Sequence, residues 1–270
     1  MESKRKSTIQ IEALHFAEPK TYNVFSQARR PQKPYGRRHC KRGCILFIVF
    51  DGKQQLPGAS TSTEFDMPII VFKYFRVKAL GEGGRMLLAY GGQEFVDHRV
   101  SDQEWPTLKP TTPFGQLPVL EVDGKQYAQS MAIYRYLGRR FGLAGDDVEE
   151  EYLIDQAVEF YNELRLKASA VYHESDKIIK AKMHDDLMKN YYPFMLKKLD
   201  DVMSENNGYL AAGKLTWADF LFAGMYDCLK MVLKLPDLDV RYPSFKNLHR
   251  RVLSLPGVDE YCKKAPHSEF

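Results

Sequence analysis

At 270 residues with 44% hydrophobic side chains, the chain is long enough for one large or two moderate domains with buried cores. Its longest apolar run, residues 44–50, falls well short of the roughly 20 residues that a helical membrane span needs, and it lies too deep for an ordinary secretory signal. Four scattered cysteines (Cys40, Cys44, Cys228, Cys262) exclude a disulfide framework and fit a reducing cytoplasm.

The net charge of +4 is unevenly placed. Residues 1–66 carry 12 Lys and Arg against 6 Asp and Glu, whereas the remainder carries 27 against 29. The basic excess sits in Lys4-Arg5-Lys6, Arg29-Arg30, Arg37-Arg38 and Lys41-Arg42, among helix-breaking Pro19, Pro31, Pro34 and Pro57. This composition predicts a disordered basic extension over 1–66, with 58–63 as linker. A sharper reading is an arm that touches nucleic acid or an anionic membrane. His39, Cys40 and Cys44 lack a second ligand pair, so no metal site is expected there.

From residue 67 the pattern changes to βαβ, then ββα, then helices alone. Residues 69–75 are β-branched and aromatic, a buried strand. Residues 79–90 read as a helix despite Gly81, Gly83 and Gly84, which would let it pack closely on a sheet. Residues 95–100 form a second strand, laid parallel to the first by a right-handed crossover. Between two further strand-like runs, 119–122 and 125–127, Asp123-Gly124 signals a tight hairpin. Pro118 stands at the entry of that hairpin, where a proline is tolerated only as a first strand residue or at an edge. Ser130 then reads as the N-cap of a helix over 131–141, expected on the opposite face of the sheet from the first helix. A capped helix start offers free N–H groups and positive dipole to a carboxylate.

Residues 142–147 read as a linker. Long amphipathic helices follow over 148–173 and 176–203, the second kinked or ended by Pro193. Thr216-Trp-Ala-Asp219 is a capping box that starts a buried helix over 217–232, so Asp219 is assigned to structure rather than catalysis. Shorter helices follow Pro243 and Pro256. The domain reading is therefore 1–66, 67–144 and 148–270.

Four separated segments, in order, resemble the sigma class of cytosolic glutathione transferases, which includes the haematopoietic prostaglandin D synthases. They are Phe72-Lys73-Tyr74-Phe75, Trp105-Pro106 with Lys109, the block Pro113 to Ser130, and Leu215-Thr-Trp-Ala-Asp-Phe220. The resemblance covers nearly everything after Met67. It implies a thioredoxin-like domain followed by an all-helical domain, α/β plus all-α, in a cytoplasmic homodimer. It also implies glutathione as co-substrate and Tyr74 as the catalytic residue. One tyrosine among 16 carries little weight alone, but the end of a first strand is where such a sheet collects ligands. A thiol with a pKa of about 8.5 is mostly protonated at neutral pH. A phenol O–H donated to its sulfur favours the thiolate.

By the same resemblance, Tyr74 and Leu80 lie at the glutathione site. Trp105 and Lys109 hold the glycyl end, Gln116 and Leu117 flank the cysteinyl backbone, and Gln129 and Ser130 take the γ-glutamyl carboxylate. The pocket for the second substrate is apolar, drawn from Phe75, Val77, Leu80, Leu221 and Met225, with Arg165 and Ser169 at the rim. Leu80 stands where the prostaglandin synthases have an arginine, and Ala170 and Leu221 replace aromatic positions. Glu159, Asn162 and Glu163 replace their acidic cation cluster, so no metal is expected. These substitutions favour conjugation of hydrophobic electrophiles, with peroxidase activity on lipid hydroperoxides. The alternatives are a prostaglandin isomerase or a low-activity structural relative tethered by the arm.

Overall fold

Alternation along residues 70–75 puts Ile70, Phe72 and Tyr74 on one face. In the computed structural model, which describes residues 68–268, those three side chains are buried and their neighbours half-buried. This strand, β1 (Ile70–Phe75), is central in a four-stranded sheet with β2 (Val96–Val100), β3 (Val119–Val122) and β4 (Lys125–Ala128), in the order β2-β1-β3-β4. β1 pairs parallel to β2, Val71 opposite Val96 through Phe75 opposite Val100. It pairs antiparallel to β3, Lys73 facing Val119, and β3 returns into β4. The hairpin turn has Asp123 and Gly124 at φ 49° and 81°, the double positive φ of a type I′ turn.

The crossover helix α1 (Ala79–Tyr90) lies against the sheet through its glycines. A Cβ on Gly84 would stand 2.6 Å from Phe72 Cζ. Gly83 instead faces Tyr134 and the carbonyl of Phe220, so the glycines serve two interfaces. The helix after the hairpin, α3 (Ser130–Arg140), packs beside α1 and not on the opposite face expected from sequence. The physical reason is that both helices bury residues against the same helical layer. The Tyr134 hydroxyl donates to Leu80 O at 3.3 Å, and the Tyr134 ring meets Trp217 at 6.4 Å.

That layer consists of α4 (Val148–His173), α5 (Lys177–Asn190), α6 (Tyr192–Glu205), α7 (Trp217–Leu233), α8 (Leu238–Arg241), α9 (Pro243–Leu253) and α10 (Val258–Lys264). The single helix expected over 176–203 is two, broken at Tyr191, with Pro193 in the first turn of α6. Proline has no N–H for the preceding turn and its ring crowds the carbonyl there, so the chain restarts instead of kinking. α7 is the centre of the helical core and packs on α1, α4 and α9. Its capping box forms as the sequence predicts: Asp219 Oδ2 accepts from Thr216 N at 2.7 Å, while Oδ1 accepts from Leu210 N at 2.8 Å. Burial pushes the Asp219 carboxyl up to about 7 against those hydrogen bonds. Among the described residues no helix is long and apolar enough to cross a membrane. The basic extension expected over residues 1–66, with Cys40 and Cys44, lies outside the described residues.

Candidate functional site

Strand register decides which loops meet. Because β3 runs antiparallel to β1, the end of β1 lies beside the start of β3, and Val119 in turn faces Ala128 at the end of β4. The parallel β2 ends on the same edge, with Val100 opposite Phe75. One edge of the sheet therefore gathers Tyr74, the Leu117-Pro118 corner, Gln129-Ser130 and the chain leading from β2 to Trp105 and Lys109. The Leu117-Pro118 peptide is cis.

Tyr74 is 7% exposed. Burial holds its phenol above the ordinary value, while the Leu80 amide and the cations Arg85 and Arg165 pull it back. A phenol that stays protonated remains a hydrogen-bond donor, which is the state that stabilising a thiolate requires. Its ring is pinned by α1, since a Cβ on Gly81 would overlap Tyr74 Cδ1. Gly81→Ala is expected to destabilise the protein by about 1–3 kcal/mol and to lower turnover more than glutathione affinity. Thermal unfolding and steady-state kinetics check both, and wild-type turnover in the variant would contradict this account of the ring's position.

The residues expected to anchor glutathione follow along the same edge. Trp105 opens α2 (Trp105–Leu108), its ring edge-on to Phe75 at 5.3 Å, and Lys109 begins the following 3-10 turn, exposed. Among the described residues no backbone hydrogen bond reaches Leu117, which leaves its N–H and C=O for an extended ligand. Gln129 Nε2 donates to Gln116 Oε1 at 3.2 Å. The expected Ser130 cap is corrected: Ser130 is the first helical residue, the capping position is Gln129, and no side chain caps the helix. Gln129 is held at φ 72°, ψ 109°, a left-handed conformation costing on the order of 1–3 kcal/mol for such a residue. The first N–H groups of α3 consequently stay open, which suits a carboxylate better than a serine cap would.

On the other side of Tyr74 lies a cavity of about 780 Å³. Phe75, Val77, Leu80, Met225, Arg165 and Ser169 line it, as expected from sequence. Leu221 does not. It is fully buried in the core, because the first half of α7 is sealed against α1, where a Cβ on Gly224 would stand 2.9 Å from Gly83 Cα. Sequence reasoning missed Tyr161 and Cys228, which also line the cavity, as well as Tyr172 and His173 further along α4 and Asp102 after β2. The signal was available for Tyr161: it precedes Arg165 by four residues and so shares its helix face. Also missed was Arg85, fully buried beneath Tyr74 with its guanidinium 5.8 Å from that ring. Trp105, Lys109, Gln116, Leu117, Gln129 and Ser130 stand outside the cavity, along the sheet edge. Glu159 pairs with Arg135 at 3.5 Å, and Asn162 accepts from Arg165 Nε at 2.8 Å. Among the described residues no group of three or more His, Cys, Asp or Glu side chains converges as a metal cluster.

A thioredoxin-like sheet with a cis-proline corner, a tyrosine at its ligand edge and an all-helical domain behind it defines a two-domain glutathione-binding enzyme. The chain belongs to the glutathione S-transferase family: residues 67–139 match its N-terminal domain and residues 162–265 its C-terminal domain. It is 55% identical over 204 residues to glutathione S-transferase 2 of Manduca sexta, covering 76% of this chain and all of the relative. Among solved structures, prostaglandin synthase D of Nilaparvata lugens superposes with a TM-score of 0.70 at 39% identity, covering 74% of this chain and all of that one. A sigma class transferase of Fasciola hepatica gives 0.67 at 27% identity, covering 76% of this chain and all of that one. The protein is thus a glutathione S-transferase, with glutathione as its co-substrate.

Proposed function

We propose that this transferase is of the sigma class and joins the glutathione thiolate to hydrophobic electrophiles, with peroxidase activity on lipid hydroperoxides. The observation that carries the reading is the position of Tyr74, between the sheet edge and an apolar cavity large enough for a lipid-sized acceptor. Tyr74 donates to the sulfur. Trp105 and Lys109 hold the glycyl end, Gln116 and Leu117 the cysteinyl backbone, and Gln129 and Ser130 the γ-glutamyl carboxylate. Phe75, Val77, Leu80, Arg165, Ser169 and Met225 face the acceptor. A turnover panel of enals, lipid hydroperoxides, aryl halides and a prostaglandin endoperoxide tests this. Rapid turnover of the endoperoxide alone would favour the isomerase reading, which the likeness to a prostaglandin synthase supports. No turnover with any acceptor would favour a structural relative.

The domain division is part of the same proposal: residues 67–144 bind glutathione, 148–270 carry the acceptor wall, and 1–66 are appended. We place the protein in the cytoplasm as a homodimer. A chain starting at Met67 is expected to stay dimeric, bind immobilised glutathione, and match the full chain in turnover and melting temperature. Loss of dimerisation, or a melting temperature several degrees lower, would show that the appended residues are structurally integrated. If those residues act as an electrostatic tether, only the full chain binds heparin or anionic vesicles, and high salt abolishes that binding.

A further inference from the structure

We propose that the ion pair between Lys78 and Asp227 is the strut that sets the width of the acceptor cavity, which makes both of them positioning residues for acceptor choice. The inference deepens the transferase reading and rests on it, since that reading makes this cavity the acceptor site.

Lys78 lies in the turn between β1 and α1, and Asp227 lies in the second half of α7. Lys78 Nζ donates to Asp227 Oδ2 at 2.6 Å. Their chain neighbours line the cavity, Val77, Ala79 and Leu80 on one wall and Met225, Cys228 and Leu229 on the other. Lys78 and Asp227 do not line it, so the pair ties the two walls together from outside. Nearer the start of α7 the two helices are locked by close approach, because a Cβ on Gly224 would stand 2.4 Å from Gly83 N. Past that contact, and among the described residues, Lys78–Asp227 is the only ion pair or hydrogen bond that joins residues 76–80 to α7.

Displacing Lys78 moves more than its own side chain. Its carbonyl accepts from Gly81 N and Glu82 N, both at 2.9 Å, and so holds the first turn of α1. The next residue, Ala79, stands at φ 32°, a conformation that a non-glycine residue keeps only where its surroundings hold it. A turn in that state shifts when its tether is cut. The two side chains are 32% and 37% exposed. Such a pair adds little to global stability, so its effect belongs in the shape of the cavity and not in the melting temperature. Glutathione should not feel it, because the residues expected to anchor glutathione stand outside the cavity, along the sheet edge.

Two ratios read cavity width on the full chain at pH 7. One, at saturating glutathione, is kcat/KM for crotonaldehyde over kcat/KM for naphthylacrolein, a small and a bulky enal. The other needs no turnover and is taken without glutathione: the rate at which N-ethylmaleimide alkylates Cys228 over that of N-naphthylmaleimide, read by peptide mass. Taking a ratio cancels any change in the reactivity of the thiol itself. Asp227→Asn is expected to lower both ratios about threefold to fivefold, the scale of one exposed ion pair, and to leave the KM for glutathione and the melting temperature unchanged. Asp227→Lys sets two cations face to face and should lower the ratios about tenfold. Adding Lys78→Glu to it should restore them to within twofold of the unaltered chain. Unchanged ratios in Asp227→Asn overturn the proposal, as does a reversed pair that stays at the level of Asp227→Lys. Equal losses with both enals alongside a lower melting temperature overturn it too, since a merely structural pair would give that result. Should Asp227→Lys fail to fold, Asp227→Asn and Lys78→Gln decide. If the unaltered chain turns over neither enal, the transferase reading has failed, and the maleimide ratio alone then decides on the strut.

Discussion

Tyr74→Phe is expected to cut turnover by roughly one to three orders of magnitude, the scale of losing one charge-stabilising donor. The fold and glutathione affinity should be nearly unchanged. The ring is what packs: it lies against α1 at Gly81, over the Arg85 guanidinium at 5.8 Å and edge-on to Phe75 at 5.6 Å. Phenylalanine keeps all of that and removes only the oxygen. The sign of the pH effect follows from the phenol acting as donor. If Tyr74 donates to the sulfur as proposed, the bound thiol of the wild type should ionise below the free value of about 8.5. In the variant the apparent pKa should climb toward that value, moving the acidic limb of the kcat/KM profile to higher pH. The Tyr74 phenol does not interfere, because burial holds its own ionisation above the ordinary value. Thiolate absorbance of the glutathione complex, titrated in both proteins, is the measurement, and superimposable curves would remove Tyr74 from its role.

Much of this architecture was legible because it rests on local signals. Asp123-Gly124 specifies the type I′ hairpin, Thr216 and Asp219 specify the start of α7, and Pro193 ends a helix. What failed depended on three-dimensional packing. α3 lies beside α1 because Tyr134 reaches Leu80, a contact across 54 residues that periodicity does not encode. Leu221 and Met225 share a face of α7, yet only Met225 reaches the cavity, because α1 closes over the first half of that helix. Ser130 has a good capping side chain, but the chain enters α3 through a left-handed Gln129, which takes over the capping position. The motifs did pick out residues that the structure gathers along one edge of the sheet. The charges beneath and across from that edge were not legible, because a sequence does not show which of its 39 basic residues become buried.

The second large effect is expected at one of those charges. Arg85 is 0% exposed and spends its donors on four groups. Nε meets Asp97 Oδ1 at 2.8 Å, Nη1 meets Glu82 Oε2 and the Val77 carbonyl, both at 3.1 Å, and Nη2 meets the Phe75 carbonyl at 3.1 Å. The Phe75 carbonyl ends β1, directly after Tyr74, and the Val77 carbonyl lies in the turn to α1, so the guanidinium fixes the loop that shapes the cavity. Glu82 is itself 7% exposed, and its other oxygen accepts from the Tyr261 hydroxyl of α10 at 3.2 Å. Arg85→Met therefore leaves a buried carboxylate and two part-buried carbonyls short of a partner, whereas Asp97 keeps Arg99 at 2.7 Å. Breaking such a site from one side costs about 3–5 kcal/mol, a drop of roughly 10 °C or more for a domain of this size. Arg85→Lys should recover only a minor part, since an ammonium cannot span four acceptors in the plane of a guanidinium. Adding Glu82→Gln to Arg85→Met should restore some stability by removing the orphaned charge, although Tyr261 then loses a charged acceptor. Urea unfolding of the three variants measures this. If Arg85→Met unfolds at the wild-type midpoint, the buried charges under Tyr74 contribute nothing net, and the loop must be held by α1 packing alone.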